Sequence, residues 1–263
     1  MTLATAFDWL GSGNNLRFIL EGFAINLEIA VVAILLSLAV GLALALLRLS
    51  RNRFLAAAAG AWVDLFRNLP LLLLILFLFL WIPQSWRQNW ESVMPSWAPE
   101  AFQSGLMLAG LSGLVLYNSA VLAEIMRAGI LSLPRGQAEA ASALGMSYGQ
   151  RMRHVVLPQG LRRMVPAMVS QLITLNKDTT LVSIIAITEV MRRARTVTAT
   201  SGNPFVGGGV EAPILEVFLF VGLLFVIVNF TLSRLSRRLE LRERKRSGTV
   251  VKPKVRGLEE QVA

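Results

Sequence analysis

The residues able to do chemistry are few and scattered. His154 is the single histidine and cysteine is absent, so disulfides, thiolate chemistry and a His-rich metal site are excluded. No G-x-x-x-x-G-K-[ST] phosphate loop is present, so ATP has no cradle of that kind in this chain. What stands out is polar groups inside apolar runs. Arg67 and Asn68 precede Pro70, and Gln171, Thr174 and Asp178 interrupt another greasy stretch. At about 100° per residue on a helix, the last three fall within about 60° of one another and form a polar stripe. An ionisable residue in such a setting is a functional hypothesis, and its chemistry is holding a polar solute, not making bonds. Lys177 lies off the stripe, because adjacent helical residues point apart. Two readings of Asp178 stand: it lines a cavity, or the helix ends near Asn176 and both charges are interfacial. Arg67 either snorkels to the interface or faces an internal cavity. Glu28, near Asn26 and Glu21, reads as an outer-interface residue. Glu124 and Arg127 have i, i+3 spacing and read as an inner-end ion pair. Glu216 and Asn229 read as interhelical polar contacts.

The elements that must position these residues are membrane helices. Of 263 residues, 54% are hydrophobic and 16% charged, against about 25% charged in soluble domains. Apolar runs near 20 residues span a bilayer. Five candidates occur: Phe18 to Leu47, Leu69 to Ile82 with Leu55 to Val63 as a less apolar lead-in, Leu106 to Ala123, Met164 to Ile187, and Ile214 to Leu232. The fourth is the weakest, because Lys177 and Asp178 break it. The fold class is therefore an all-α membrane protein of about five transmembrane helices.

A net charge of +10 raises the possibility of nucleic acid, but 19 of the 26 basic residues lie on alternate connections. That is the positive-inside pattern. It predicts an outer N-terminus and a cytoplasmic C-terminus. Arg192, Arg193 and Arg195 fall on the predicted outer side, against the rule. With no basic residue before Arg17, the N-terminus does not resemble a cleaved signal peptide. Residues 1–17 read as an outer segment. Residues 83–104 form an outer loop whose Trp81, Trp86, Trp90 and Trp97 suit either an interface belt or a docking surface. Residues 188–213 form a second outer loop with a mobile, glycine-rich turn. The tail reads as a helical continuation of the fifth span, then a disordered basic segment over 241–263. Its charge suits anionic lipid better than RNA.

Between the third and fourth spans lies "EAASALGMSYGQRMRHVVLP", residues Glu139 to Pro158. Pro134 opens a helix at a tolerated position, and the alanines at 138, 140, 141 and 143 are strong helix formers. Gly145 sits where a helix closes in the left-handed conformation. Ser147 and Gln150 have capping-box spacing for a second short helix, which Pro158 ends as the chain returns to the membrane. Such a segment suits docking of a helix into a partner's groove, or is an ordinary helical hairpin.

The spacing of Glu139, Ala140, Ala141, Gly145, Val155, Leu157 and Pro158 resembles the signature loop of ABC-importer permease subunits, with Val155 in place of the commoner Ile. "DLFRNLPLLLLILFLF", "SAVLAEIMRAGILSLPRGQAEAASALGMS" and "LNKDTTLVSIIAITEV" are similar to the polar amino acid branch of that family, in register over about residues 18–240. The resemblance implies a transmembrane permease domain over 18–240 with coupling helices at 132–160. It implies ABC ATPase subunits inside, a second permease subunit, identical or paralogous, and an amino acid-binding protein outside. The implied location is the bacterial inner membrane, with no cofactor and no catalytic or metal site in this chain. Members that handle basic amino acids often carry Glu at the position of Gln171, so glutamine there argues against arginine or lysine as substrate. Two rival readings are a polytopic membrane enzyme such as a lipid transferase, and a stand-alone channel. The enzyme would need clustered His, Asp or Ser, which are lacking. The channel would not need the coupling loop.

Overall fold

The computed structural model describes residues 8–11, 14–199 and 213–246. Among them the chain is helical throughout, in the order α1 (Asp8–Gly11), α2 (Asn15–Arg48), α3 (Arg53–Asn68), α4 (Leu71–Trp81), α5 (Gln84–Val93), α6 (Glu100–Gln103), α7 (Leu106–Leu131), α8 (Arg135–Ala143), α9 (Tyr148–Arg151), α10 (Leu157–Asp178), α11 (Val190–Ala199) and α12 (Ile214–Arg246). A π-turn over Met152–Val156 joins α9 to α10, and a 3-10 segment over Thr179–Ile185 follows α10.

Three of these helices, α2, α7 and α12, are long and apolar enough to cross a membrane. At 1.5 Å per residue, the 34 residues of α2 reach about 51 Å. α7 is the hub: α2, α3, α4 and α10 all pack on it, and α12 packs on α10. One apolar core gathers Ile29, Ala33, Ile75, Leu78, Met107, Leu114, Leu122 and Val182 between α2, α4, α7 and the 3-10 segment. A second gathers Trp9, Ile19, Phe23, Val190, Ala194, Val197, Val217 and Val221 around α1, α2, α11 and α12. α12 turns Leu215, Leu219, Leu223, Val226 and Phe230 outward, as a helix bathed in lipid does.

Five sequence expectations change. The Leu55 to Val63 lead-in does not extend the second span along its axis, because α3 and α4 meet at 103°. Pro70 forces the residue before it out of the helical region, and Leu69 is extended at φ −82°, ψ 134°. Pro158 does not end the second short helix; it lies in the first turn of α10. The π-turn carries the helix past it, with the Leu157 amide donating to the Met152 carbonyl, which accommodates the ring and its missing N–H. Residues 83–104 are not only loop: they include α5 and α6, and Trp90 turns inward to donate to the Phe102 carbonyl at 2.7 Å. Trp81, Trp86 and Trp97 remain exposed. The stretch from residue 188 likewise contains α11, while the glycine-rich turn lies outside the described residues. α12 continues the fifth span to Arg246, so residues 241–246 of the tail expected to be disordered are helical, and the rest of that segment lies outside the described residues.

Candidate functional site

The segment from Arg135 to Leu157 is built on two capping devices legible in the sequence. α8 closes in a complete Schellman motif: Met146 donates to the Ala141 carbonyl at 3.1 Å and Gly145 to the Ser142 carbonyl at 3.0 Å. Gly145 sits at φ 77°, a conformation costly to a residue with a Cβ. The capping box then forms in both directions. Gln150 donates its amide to Ser147 Oγ at 3.4 Å, and Ser147 donates to Gln150 Oε1 at 2.9 Å. Ala141 is buried, Val155 and Leu157 are half-buried, and α8 packs against the π-turn. Glu139, Ala140, Gly145 and Pro158 are exposed, and Leu144 is 79% exposed at the tip. The arrangement presents a small, stiff, partly apolar knuckle to a partner.

The segment is anchored to the membrane helices at several points. Arg163 Nη1 donates to the Ser132 carbonyl at 3.0 Å, and Gln159 donates to Gln137 at 3.2 Å. α7 and α10 cross closely: a Cβ on Gly160 would lie 2.9 Å from Ile130 Cα, and one on Gly129 would lie 2.7 Å from the Gly160 carbonyl. Tyr148 Oη donates to the Leu49 carbonyl at the end of α2, at 2.9 Å. At the same end, Glu124 accepts from both Arg127 and Arg48, each at 2.5 Å. The Glu124–Arg127 pair is as expected. Arg48 is a partner that spacing does not suggest, because 76 residues separate it from Glu124.

The polar stripe of α10 divides. Gln171 donates to Asn118 of α7 at 2.7 Å, and Asn118 is buried and donates to the Leu114 carbonyl at 2.8 Å. Thr174 is exposed and donates only back to Ser170. Asp178 is half-buried at the last residue of α10 and has no ion pair among the described residues, while Lys177 is exposed. Arg67 and Asn68 are exposed at the end of α3. No hydrogen bond or ion pair joins them to the α10 stripe among the described residues, and Arg67 lies near enough to Glu124 for their charges to interact. Asn229 makes the expected interhelical contact, accepting from Asn176 at 3.1 Å. Glu216 is half-buried with no ion pair among the described residues, and Glu28 is exposed.

Sequence reasoning missed the buried polar knot that ties α2 to the start of the 3-10 segment and the start of α11. Asn26 donates to Glu189 Oε2 at 2.9 Å and to Thr179 Oγ1 at 3.0 Å, and accepts from the Val190 amide at 3.0 Å. Glu189 Oε1 accepts from the Arg192 amide at 3.0 Å, capping α11. Asn26, Thr179 and Glu189 are all fully buried. A lone glutamate after an apolar run was the available signal; its partner 163 residues away was not visible. Arg193, one of the charges that breaks the positive-inside pattern, is also absorbed here. It donates to the Phe18 carbonyl at 2.9 Å and pairs with Glu21 at 3.1 Å.

Comparison with known proteins gives this geometry a lineage. The family described as binding-protein-dependent transport system inner membrane component matches residues 33–245. The chain is 36% identical over 238 residues to the probable glutamine ABC transporter permease protein GlnP of Bacillus subtilis, covering 90% of this chain and 99% of that one. It is 32% identical over 236 residues to the glutamate/aspartate import permease protein GltK of Escherichia coli, covering 90% and 98%. Among solved structures, an amino acid ABC transporter crystallised with histidines matches at a TM-score of 0.67 and 27% identity, over 86% of this chain and 94% of that one. An inward-facing MetNI methionine ABC transporter shares the fold at a TM-score of 0.61 and 20% identity, over 85% and 97%. The chain belongs to the family of binding-protein-dependent transport system inner membrane components, as a multi-pass, all-α permease subunit of an ABC importer.

Proposed function

We propose that this permease imports polar amino acids, with ATP hydrolysed by separate subunits that grip residues 132–160 from the cytoplasm. The exposed, doubly capped knuckle at Gly145 and Leu144 carries the coupling half of this reading. Near full-length likeness to glutamine and glutamate/aspartate permeases supports the substrate class. Within the segment, Glu139, Ala140, Gly145 and Pro158 meet the ATPase subunit. Ala141, Val155 and Leu157 stiffen the knuckle from within.

The path itself requires a second membrane subunit, identical or paralogous, because Thr174, Arg67 and Asn68 are exposed on one copy and Gln171 and Asp178 only half-buried, so one copy does not enclose them. Thr174, Asp178, Arg67 and Asn68 line it, and Gln171 borders it while holding α10 to α7. Every amino acid carries an α-ammonium group, which Asp178 can hold whatever the side chain. A binding protein outside delivers the solute. The N-terminus is outside and the C-terminus in the cytoplasm of a bacterial inner membrane.

The test is uptake of radiolabelled acidic, neutral and basic amino acids by proteoliposomes containing the whole transporter and its binding protein. ATP-dependent accumulation of glutamine, glutamate or aspartate is the expected result. Accumulation of none of the three classes would overturn the substrate reading.

A further inference from the structure

The coupling segment touches the membrane helices at a point that its covalent connections do not explain. Chain continuity joins it to α7 at one end and to α10 at the other. Tyr148, at the start of α9, also reaches the short junction between α2 and α3. Its hydroxyl donates to the Leu49 carbonyl at 2.9 Å. That carbonyl lies at a helix C-terminus, where the peptide dipoles concentrate negative charge and strengthen the acceptor. Two guanidinium groups attend the same ring: Arg51 of the junction at 4.8 Å from its centroid, and Arg151 of the coupling segment at 5.5 Å. Cation–π attraction of this kind holds a cation within about 6 Å of a ring centroid. Arg151 is itself tied to α8 by donating to Ser142 Oγ. The junction is therefore bound to the coupling segment by two contacts of one side chain, the Tyr148 hydroxyl to Leu49 and the Tyr148 ring to Arg51.

The junction is also gripped from the membrane side, because Arg48, one residue before Leu49, is bonded to Glu124 of α7. Beyond it α3 starts at a well-formed cap, with Asn52 Oδ1 accepting from the Phe54 amide at 3.0 Å. α3 then runs 16 residues, about 24 Å at 1.5 Å per residue. It ends at Arg67 and Asn68, beside the 103° bend into α4. α3 packs on α2 and α7 while burying only Ala59 and Val63, so a shift at its first residue is carried to its last along one continuous helix.

We infer that Tyr148 is a positioning residue that passes movement of the coupling segment to the α2–α3 junction and along α3 to the bend beside Arg67 and Asn68. This third route runs beside the covalent ones through α7 and α10. It rests on the reading of residues 132–160 as the ATPase contact.

The experiment measures solute taken up per ATP hydrolysed by the whole transporter in proteoliposomes. Tyr148→Phe keeps the ring and removes the hydrogen-bond donor. Arg51→Gln, at an exposed position, keeps a donor and removes the cation on the junction side. Each should lower the ratio about threefold, and the two together on the order of tenfold, the usual range for residues that carry coupling between sites. A ratio equal to wild type in both single variants and the double variant overturns the inference, even if uptake and hydrolysis fall in parallel. Gly145→Val separates this from failure of the coupling reading. If Gly145→Val uncouples transport while the Tyr148 and Arg51 variants keep the wild-type ratio, only the third route is wrong. If Gly145→Val leaves transport and hydrolysis unchanged, the coupling reading itself falls.

Discussion

Asp178 ends α10 half-buried and without an ion pair among the described residues, a costly state for a carboxylate unless a solute or another subunit compensates it. Asp178→Asn preserves its shape and removes its charge. The variant should assemble and hydrolyse ATP normally but lose uptake by about tenfold or more, the worth of one charged hydrogen bond. Unchanged radiolabelled uptake would return Asp178 to an interfacial helix end. Gln171 behaves differently, because its amide donates to Asn118 Oδ1. In Gln171→Glu two acceptors would face one another in a half-buried place, at a cost of about 1–3 kcal/mol. A lowered melting temperature in detergent should therefore accompany any change in its selectivity. Asn26 is the residue on which the buried knot depends. Asn26→Leu removes the side-chain donor to Glu189 Oε2 and the acceptor of the Val190 amide, costing about 3 kcal/mol. Thermal unfolding followed by loss of monodisperse protein should show it as the least stable of these variants.

At the scale of elements, the coupling segment is two capped helices around one left-handed residue. Gly145 has no atom within 4 Å of where a Cβ would be, so a side chain there meets no clash, only backbone strain. Gly145→Ala should cost about 1 kcal/mol and leave coupling mostly intact, while the β-branched Gly145→Val should detach or uncouple the ATPase. Copurification of the ATPase subunit and stimulated hydrolysis distinguish the two. Gly160 presents the opposite case, with Ile130 Cα only 2.9 Å from where its Cβ would stand. Small residues let membrane helices approach closely. Gly160→Leu should therefore force α7 and α10 apart and reduce the yield of folded protein, with no variant-specific change in the ratio of uptake to hydrolysis in whatever folds.

For the whole molecule, the charge asymmetry of its connections predicts residues 83–104 outside and residues 127–163 and 234–263 inside. The natural absence of cysteine makes this easy to test. Ser92 and Ser142 are both exposed, so single cysteines there should react with a thiol reagent if it reaches them. An impermeant reagent applied to intact cells should label Ser92→Cys and spare Ser142→Cys. Labelling of both sinks this topology.

Local patterns were legible without any fold. The Schellman glycine, the Ser147–Gln150 capping box and the Glu124–Arg127 pair each lie within a few residues of chain, where helix geometry alone brings groups together. The all-α class followed from runs of apolar residues that only a bilayer accommodates. Interhelical partnership was not legible, because packing, not chain distance, decides it. Gln171 read as one of a stripe, yet it is bonded to Asn118. Arg193 read as a misplaced charge, yet Glu21 and Phe18 absorb it. Pro158 read as a stop, yet a π-turn carries the helix through it. Short-range chemistry is written in spacing along one helix. Which buried polar group meets which is settled only when α2, α7, α10 and α11 come together, since each such group must find a partner wherever burial leaves it.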